Sequence, residues 1–572
     1  MTVKPRCRAS RRRRGSNAMK WKSGMIAVLF SALIGLTTLP AAEKDLKAGD
    51  VAFTLDLTKT EIRSQLLSQG AEIVNEGPKG EPCLRITSAV GQTGNPRKLV
   101  SIPVDMSSLQ GARVCLTGLV RGENIQGSDP AVPLAKWRGA KCQLNFDSPS
   151  RGKRWYDEPN LHGTFPWRPV GAIGGIVEDV SKGQISLGVE GATGTVWISD
   201  VRITVLQPRA LRNIPADAEK NLTQKATQMR GVMSPNYFAQ QDFADLAGWK
   251  VNLMRWQVGG GEKNLAIYDE WFEGKLGDLS QALDAAQANG IKLAVDLHLP
   301  PGGRYPDATL KMVMEEKYQQ EFIANWERIA RRFKDHPALW AYDLINEPVQ
   351  NRPSPTGLGD WLAIQVKAAK AIRAIDSKTP IIIEVDQWDS PDSFSWLEPV
   401  DVPNVIYQAH MYWPGAYTHQ GVKTDQGVAK DKDFTKNSLT YPGMIEGKPI
   451  DKEALRRYLE PVRRFQLAHN ARIYIGEFSA ARWAPGAATY LDDCISIFEE
   501  YGWDWTYHAF REWPGWSVEH ADLPYDRSNH PKATQPTERF LVLQKWFAKN
   551  EIAGKTAMVE TAPKSETKAG IK

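Results

Sequence analysis

ALWAYDLINEPVQ, residues 338–350, is the stretch whose reading decides the fold. The apolar and aromatic run Leu339–Ile345 fits a strand buried on both faces, as in a parallel sheet. Pro348 has no N–H to give a sheet ladder, so the strand has to stop at Asn346-Glu347. An amide and a carboxyl then stand at the carboxyl end of a strand, where α/β barrels keep their chemistry. Taken alone, Asn-Glu-Pro describes a strand-end turn with a solvated glutamate equally well. A second carboxylate in a comparable setting gives it more meaning, and Gly476-Glu477-Phe478 supplies one.

Working outward, strand-like runs alternate with amphipathic helices. The runs are Met229–Met233, Val251–Trp256, Lys292–Asp296, Leu339–Ile345, Ile381–Val385, Val405–His410, Ile473–Ile475 and Trp503–Tyr507. Between them lie apolar stripes at helical spacing: Leu279/Leu283/Ala286, Phe322/Trp326/Ile329/Phe333, Leu362/Val366/Ala369, Leu455/Leu459/Val462 and Leu491/Ile495/Phe498. These are core faces. Eight strand–helix units over roughly 320 residues predict an α/β fold, a (β/α)8 barrel of the TIM type, over residues 222–550. Residues 43–207 read as an all-β sandwich, jelly-roll-like. Short alternating runs there (Val114-Cys115-Leu116, Cys142–Phe146, Ile185–Val189, Val196–Val205) are separated by Gly, Pro, Asn and Ser, and Glu61–Gln69 is the one helical pattern. Residues 208–221 are expected to be a linker and 551–572 a disordered tail.

With 572 residues, two structured domains plus tails is the natural division. The formal charge of +6 is misleading: residues 1–42 hold nine Lys or Arg and no acid, and without them the balance is −3. Nucleic-acid binding by the folded part therefore has no support. Met25–Leu39 is an apolar run preceded by Lys20 and Lys22 and followed by Ala41 and Ala42, which predicts a signal peptide cleaved near Ala42. The alternative is an uncleaved anchor. Arg11–Arg14 resembles a twin-arginine signal but lies far from the apolar run, and Met19 is the expected start. A secreted or periplasmic monomer follows, with no stable membrane insertion after cleavage. No cysteine pair has metal spacing; Cys83, Cys115 and Cys142 could form one disulfide or be buried as small hydrophobes.

Polar residues at strand ends converge on one barrel mouth: Arg255 on the second, Asp296-Leu297-His298 after the third, Asn346-Glu347 after the fourth, His410-Met411-Tyr412 after the sixth, Glu477 on the seventh and Trp513 beyond the eighth. Two carboxylates opposed across such a mouth fit glycoside hydrolysis. The region of about residues 222–549 resembles glycoside hydrolase family 5, the cellulase-type barrels. The resemblance implies Glu347 as acid/base, Glu477 as nucleophile, and Arg255, His298, Asn346, His410, Tyr412 and Trp513 as substrate-site residues, with Trp503, Trp505 and Trp516 as rivals for the last. It implies a β-linked polysaccharide or oligosaccharide substrate, most simply a β-1,4-glucan cleaved internally, and no metal or organic cofactor. Trp388, Trp413, Trp256 and Trp483 are further candidates for sugar stacking, and the excursion Trp413–Asp451 and the segment His298–Gly303 are candidate cleft walls. Gln184–Ile203 resembles the closing strands of carbohydrate-binding jelly-roll modules, with Trp137, Trp155, Tyr156 and Trp167 as its candidate stacking rings; a sandwich that only packs on the barrel is the alternative.

A metal-dependent barrel is the sharpest chemical rival, because Asp296, Glu347 and Glu384 end the third to fifth strands in an order used for Mg²⁺. It wants a lysine base where this chain has Arg255 or His410. An amidohydrolase wants a His-x-His on the first strand, which is missing. Asp296 and Asp343 are expected in buried ion pairs or hydrogen bonds, and Glu384 and Asp386 either line the cleft or stand idle. A barrel that binds glycans without cleaving them is the rival of another class.

Overall fold

The computed structural model describes residues 46–89, 96–127, 134–223, 228–259, 264–422, 438–523 and 530–550. The expected signal peptide, its cleavage site and start, the expected tail, and the centre of the Trp413–Asp451 excursion lie outside the described residues.

Eight parallel strands close into a barrel: Arg230–Met233, Leu253–Gln257, Lys292–Asp296, Leu339–Asp343, Ile381–Glu384, Val405–Met411, Arg472–Phe478 and Asp504–Tyr507. Each coincides with an expected run to within a few residues. Helices Leu265–Ala288, Glu316–Phe333, Trp361–Arg373, Lys452–His469 and Ala487–Tyr501 wrap the outside. Most predicted stripes face inward, but Leu362 and Val366 are only half-buried. The Trp361–Arg373 helix packs instead through Trp361, Ile364, Ala368 and Ile372, one position round the same helix.

Strand periodicity divides the barrel interior into two zones. Leu253, Ala294, Ala341, Ile382 and Ile406 form an apolar plug at the bottom. Two residues further along, the same strands point Arg255, Asp296, Asp343, Glu384 and Gln408 inward. The polar layer is thus the next inward step of the apolar one, at the carboxyl end.

Two antiparallel sheets precede the barrel. One contains Val51–Thr54, Glu72–Val74, Cys83–Ser88, Arg113–Gln126, Gly163–Gly175 and Thr193–Gln207; the other runs Arg97–Asp105, Lys182–Glu190, Gly139–Ser148, Gly152–Tyr156. Alternating residues such as Val114, Leu116, Leu144, Ile185 and Leu187 share one apolar core between the sheets. The expected helix is present at Thr60–Ser68. Cys83, Cys115 and Cys142 are free and buried, so the small-hydrophobe alternative holds; burial pushes the Cys142 thiol up to about 12.

The sandwich is bound to the barrel through buried charge. Arg113, 1% exposed, reaches from its strand to Asp386, fully buried after the fifth barrel strand, at 2.7 Å. The same guanidinium donates to Gln350 Oε1 at 3.2 Å. Ile173 N donates to Asn351 O at 3.0 Å, and Arg151 pairs with Asp392 at 2.9 Å. The expected linker also lies against the barrel, with Arg212 donating to Phe394 O at 2.8 Å and Glu219 pairing with Arg463 at 2.8 Å.

Removing one partner of a buried ion pair strands the other without compensation, at a cost of about 3–5 kcal/mol. Arg113→Met is therefore expected to lower the melting temperature clearly in calorimetry; a wild-type transition would show that the contact contributes nothing.

Candidate active site

Glu477 reaches the barrel interior through a break in register. The sixth and seventh strands pair Ala409 with Ile475, then His410 with Glu477, so one residue is skipped. Without that shift, strand alternation from inward-facing Tyr474 would turn Glu477 outward. The skipped residue is Gly476, where an added Cβ would lie 2.4 Å from Gln408 Cδ. Phe478 consequently packs among Phe498, Trp505 and Tyr507 outside the barrel.

Arg255 lies fully buried at the centre of the polar layer. It meets Asp343 at 2.7 Å, Glu384 at 2.6 Å, Glu477 at 2.7 Å and Asp296 at 3.3 Å. The expected ion pairs of Asp296 and Asp343 are these. Of the three carboxylates that suggested a metal barrel, Asp296 and Glu384 meet this guanidinium. It also donates to Asn346 Oδ1 at 3.1 and 3.2 Å, which turns the Asn346 amide nitrogen toward His298 Nε2, 3.4 Å away. His298 Nδ1 lies 2.8 Å from Asp296.

Tyr412 donates to Glu477 Oε2 at 2.8 Å. His410 Nδ1 stands between the two glutamates, 3.1 Å from Glu347 and 3.7 Å from Glu477. Carboxylate oxygens of Glu347 and Glu477 approach within 4.8 Å of one another. Burial alone would raise the Glu477 carboxyl; His410, His508 and Arg255 overcome it and hold the group well below the usual carboxylate range. Burial alone would lower His410, but Glu477, the hydrogen bond to Glu347 and Asp389 raise it. Burial first, then Asp389 and Asp343, push Glu384 well up.

Glu347 is held in a left-handed conformation, φ 50°. Its N–H donates to Glu384 at 2.6 Å, and its carbonyl accepts from Arg304 at 2.8 Å. Gln387, Trp388 and Asp389 are also left-handed, at φ 60°, 63° and 54°. Such residues carry about 1–3 kcal/mol of strain each and persist where their surroundings fix them. Asp386 does so by accepting from Gln350 N and Gln387 N at 3.0 and 2.8 Å, and Trp388 N donates to Pro348 O at 3.3 Å. The Trp388 ring is 48% exposed, with the Arg304 guanidinium 4.7 Å from its centroid.

The other rings separate clearly. Trp413 stacks on Tyr458 at 5.0 Å with Arg151 of the sandwich beside both, so it joins the domain contact rather than an open platform. Trp256, Trp483, Trp503 and Trp505 are buried core rings. Trp513 is half-buried and packs edge-on against Trp516, 5.1 Å away, which in turn walls Tyr412. Of the expected cleft walls, His298–Gly303 leads into Arg304, and the hairpin Gly443–Ile450 reaches the sandwich through Lys448, which donates to Ser148 O at 3.1 Å.

His508, Glu512, Glu384 and Arg304 are site residues that sequence reasoning did not single out for the site or left idle. His508 had a signal: it directly follows the eighth strand.

An eight-stranded parallel barrel with two glutamates facing each other beneath its mouth defines a class of sugar-cleaving enzyme. The chain belongs to the cellulase family, glycosyl hydrolase family 5, whose sequence profile matches residues 216–512, and it is a glycoside hydrolase. Endoglucanase C of Acetivibrio thermocellus is 29% identical over 259 residues, spanning 42% of this chain and 74% of that protein. Cellodextrinase A of Ruminococcus flavefaciens is 23% identical over 190 residues, 32% of this chain and 54% of that protein. The Thermotoga maritima Cel5A structure with cellobiose aligns at 21% identity and a TM-score of 0.43, covering 57% of this chain and 99% of that one.

Arg304→Ala frees the Glu347 carbonyl and uncovers Trp388. Misplacing a reacting group by about 1 Å can cost ~10²-fold. A fall in kcat of that order is expected in steady-state assays, and unchanged kcat would show that the clamp does not hold Glu347.

Proposed function

We propose that this chain is an exported, retaining endo-β-1,4-glucanase. The observation that supports it best is the approach of the Glu347 and Glu477 oxygens to within 4.8 Å. Retaining enzymes hold their carboxyls about 5–5.5 Å apart, whereas inverting ones leave ~6.5–9.5 Å for a water.

Glu477 attacks the anomeric carbon and forms a glycosyl ester, while the glycosidic C–O bond breaks and Glu347 gives its proton to the departing oxygen. Water then attacks the same carbon, passes a proton to Glu347 and releases Glu477 as a carboxylate. Arg255 and Tyr412 each occupy one oxygen of Glu477 and keep it ionised and oriented. Asn346, fixed by Arg255, presents its amide to the 2-hydroxyl; His298 bonds neighbouring hydroxyls and Trp388 supplies a stacking face. The relatives named endoglucanase favour internal cleavage of a glucan, and the family resemblance favours its β-1,4 linkage; mannan, xyloglucan, β-1,3-glucan and exo action are the alternatives within the family, and a glycan-binding barrel without turnover the one outside it. No cofactor is called for. Export rests on the apolar run Met25–Leu39; among the described residues no helix is long and apolar enough to cross a membrane.

The sandwich is proposed to bind the same glycan. Trp155, 59% exposed, pairs across the ladder with Asn145, which pairs with Gln184. With Gln143 and Ser186 they line a cleft of about 610 Å³. A flat ring beside amides and hydroxyls suits a sugar face and its rim. Tyr156 has no such part, since its hydroxyl donates to Gly175 O at 2.9 Å and its ring is packed.

Glu477→Ala should nearly abolish turnover, with azide restoring product of inverted configuration; retained activity would remove Glu477 from its role. Glu347→Gln should lose ~10²–10⁴-fold on poor leaving groups and far less on activated aryl glycosides; equal losses would argue against acid catalysis. Product analysis on soluble β-glucans and mannans settles bond type and endo or exo mode. Trp155→Ala should weaken retention on insoluble glucan, and unchanged retention would leave the sandwich as a brace.

A further inference from the structure

His508 lies at the end of the eighth barrel strand with both ring nitrogens engaged. Nε2 is 2.6 Å from Glu512 Oε2. Nδ1 is hydrogen-bonded to the Tyr412 hydroxyl and lies 3.3 Å from Glu477 Oε2. The proton positions follow from which groups can donate. An ionised carboxylate only accepts, so Nε2 carries a proton toward Glu512. Tyr412 has one proton, and it goes to Glu477 Oε2 at 2.8 Å. The tyrosine oxygen can then only accept from His508, so Nδ1 carries a proton too. A ring with both nitrogens protonated is a cation.

Resting on the reading that Glu477 attacks the sugar, we propose that His508, held charged by Glu512, is a fixed cation on Glu477 in addition to Arg255 and a positioning residue for its Oε2. Arg255 governs Oε1 from below, at 2.7 Å. His508 and Tyr412 govern Oε2 from the side. The nucleophile is thereby fixed about both oxygens, and each of its cations is anchored by further carboxylates.

The groups that face this pair are all identifiable. Glu477 comes from the seventh strand, His410, whose Nδ1 is 3.7 Å from the same Glu477 Oε2, from the sixth, Tyr412 and His419 from the segment after the sixth, and Glu512 from the loop after the eighth. His298, from the third strand's end, favours the ionised form of Glu512. Burial holds His419 below its ordinary value, and the charge on His508 adds to that. Burial would lower His508 too, but Glu512 and Glu477 raise it to about 10. Because its value is raised, the charge is present below that value and is lost as pH rises through it. The Glu477 carboxyl is depressed, so the nucleophile is lost only as pH falls through its lowered value.

The test is the pH dependence of kcat/KM, which reports free-enzyme ionisations, together with NMR of histidine labelled in the ring nitrogens. In the wild type, His508 should appear charged at about pH 8, above the ~6.5 of a free imidazole; a neutral ring there would overturn the proposal. Opposite charges at this range move a carboxyl by ~1–3 units, so His508→Asn should move the acid limb up by about one unit. Glu512→Gln should bring His508 deprotonation down by at least about one unit in the same NMR titration. A merely structural role would reduce rates without moving the acid limb or the His508 titration. If His508→Asn does not fold, Glu512→Gln decides alone, because Glu512 is partly exposed on a loop. A wild-type acid limb and a wild-type His508 titration in the folded variants would refute the proposal. If Glu477→Ala remained active, the nucleophile assignment would be what fails; if it were inert and rescued by azide while the limbs stayed fixed, only the role of His508 would fall.

Discussion

The structure depends on one buried guanidinium. Arg255 is sealed from solvent beneath the barrel mouth and touches Asp296, Asp343, Glu384 and Glu477. A single positive charge cannot neutralise four carboxylates, so the layer carries an excess of negative potential. Against burial, Glu477 with Glu347 and Asp389 raises His410, Asp296 with Glu477 raises His298, and Glu512 with Glu477 raises His508. Burial, then Asp389 and Asp343, pushes Glu384 toward its neutral form. Glu477 is the carboxylate in the layer that Arg255, His410 and His508 all approach.

Around that layer the loops are held in conformations they would not choose. Glu347, Gln387, Trp388 and Asp389 occupy left-handed backbone wells without being glycine. Each is pinned by a named contact: Glu384 and Arg304 on Glu347, Asp386 on Gln387, Pro348 on Trp388 and Val385 on Asp389. Strain of this kind gathers where geometry matters more than stability. Asp386 can act as the pin because Arg113, from the sandwich, keeps its charge compensated inside the protein.

The barrel was legible because its signals are periodic and repeated. Eight apolar runs and the helices between them leave few other folds, and strand ends mark which residues share a mouth. Arg255, Asn346, His410, Tyr412 and Glu477 meet as their positions implied. What escaped was whatever depends on register and on contacts between distant segments. Nothing in the letters Gly476-Glu477 announces a skipped pairing; only the crowding by Gln408 explains the glycine. Trp413 reads as a sugar platform in the sequence, but Arg151 of the sandwich lies beside it. Trp256 lies on a strand whose outward face packs against Phe243, which a residue-by-residue reading of aromatics does not reveal. His508 was adjacent to a recognised strand end, and its importance comes only from Tyr412 and Glu512 being folded against it.

The Arg113 contact bears on modular engineering. Exchanging the N-terminal sheets for another domain would leave Asp386 charged and alone, next to the turn that presents Trp388 and the peptide that carries Glu347. The two halves are therefore not interchangeable parts on a string. A graft would have to bring its own cation to that spot, or replace the aspartate with something that needs none.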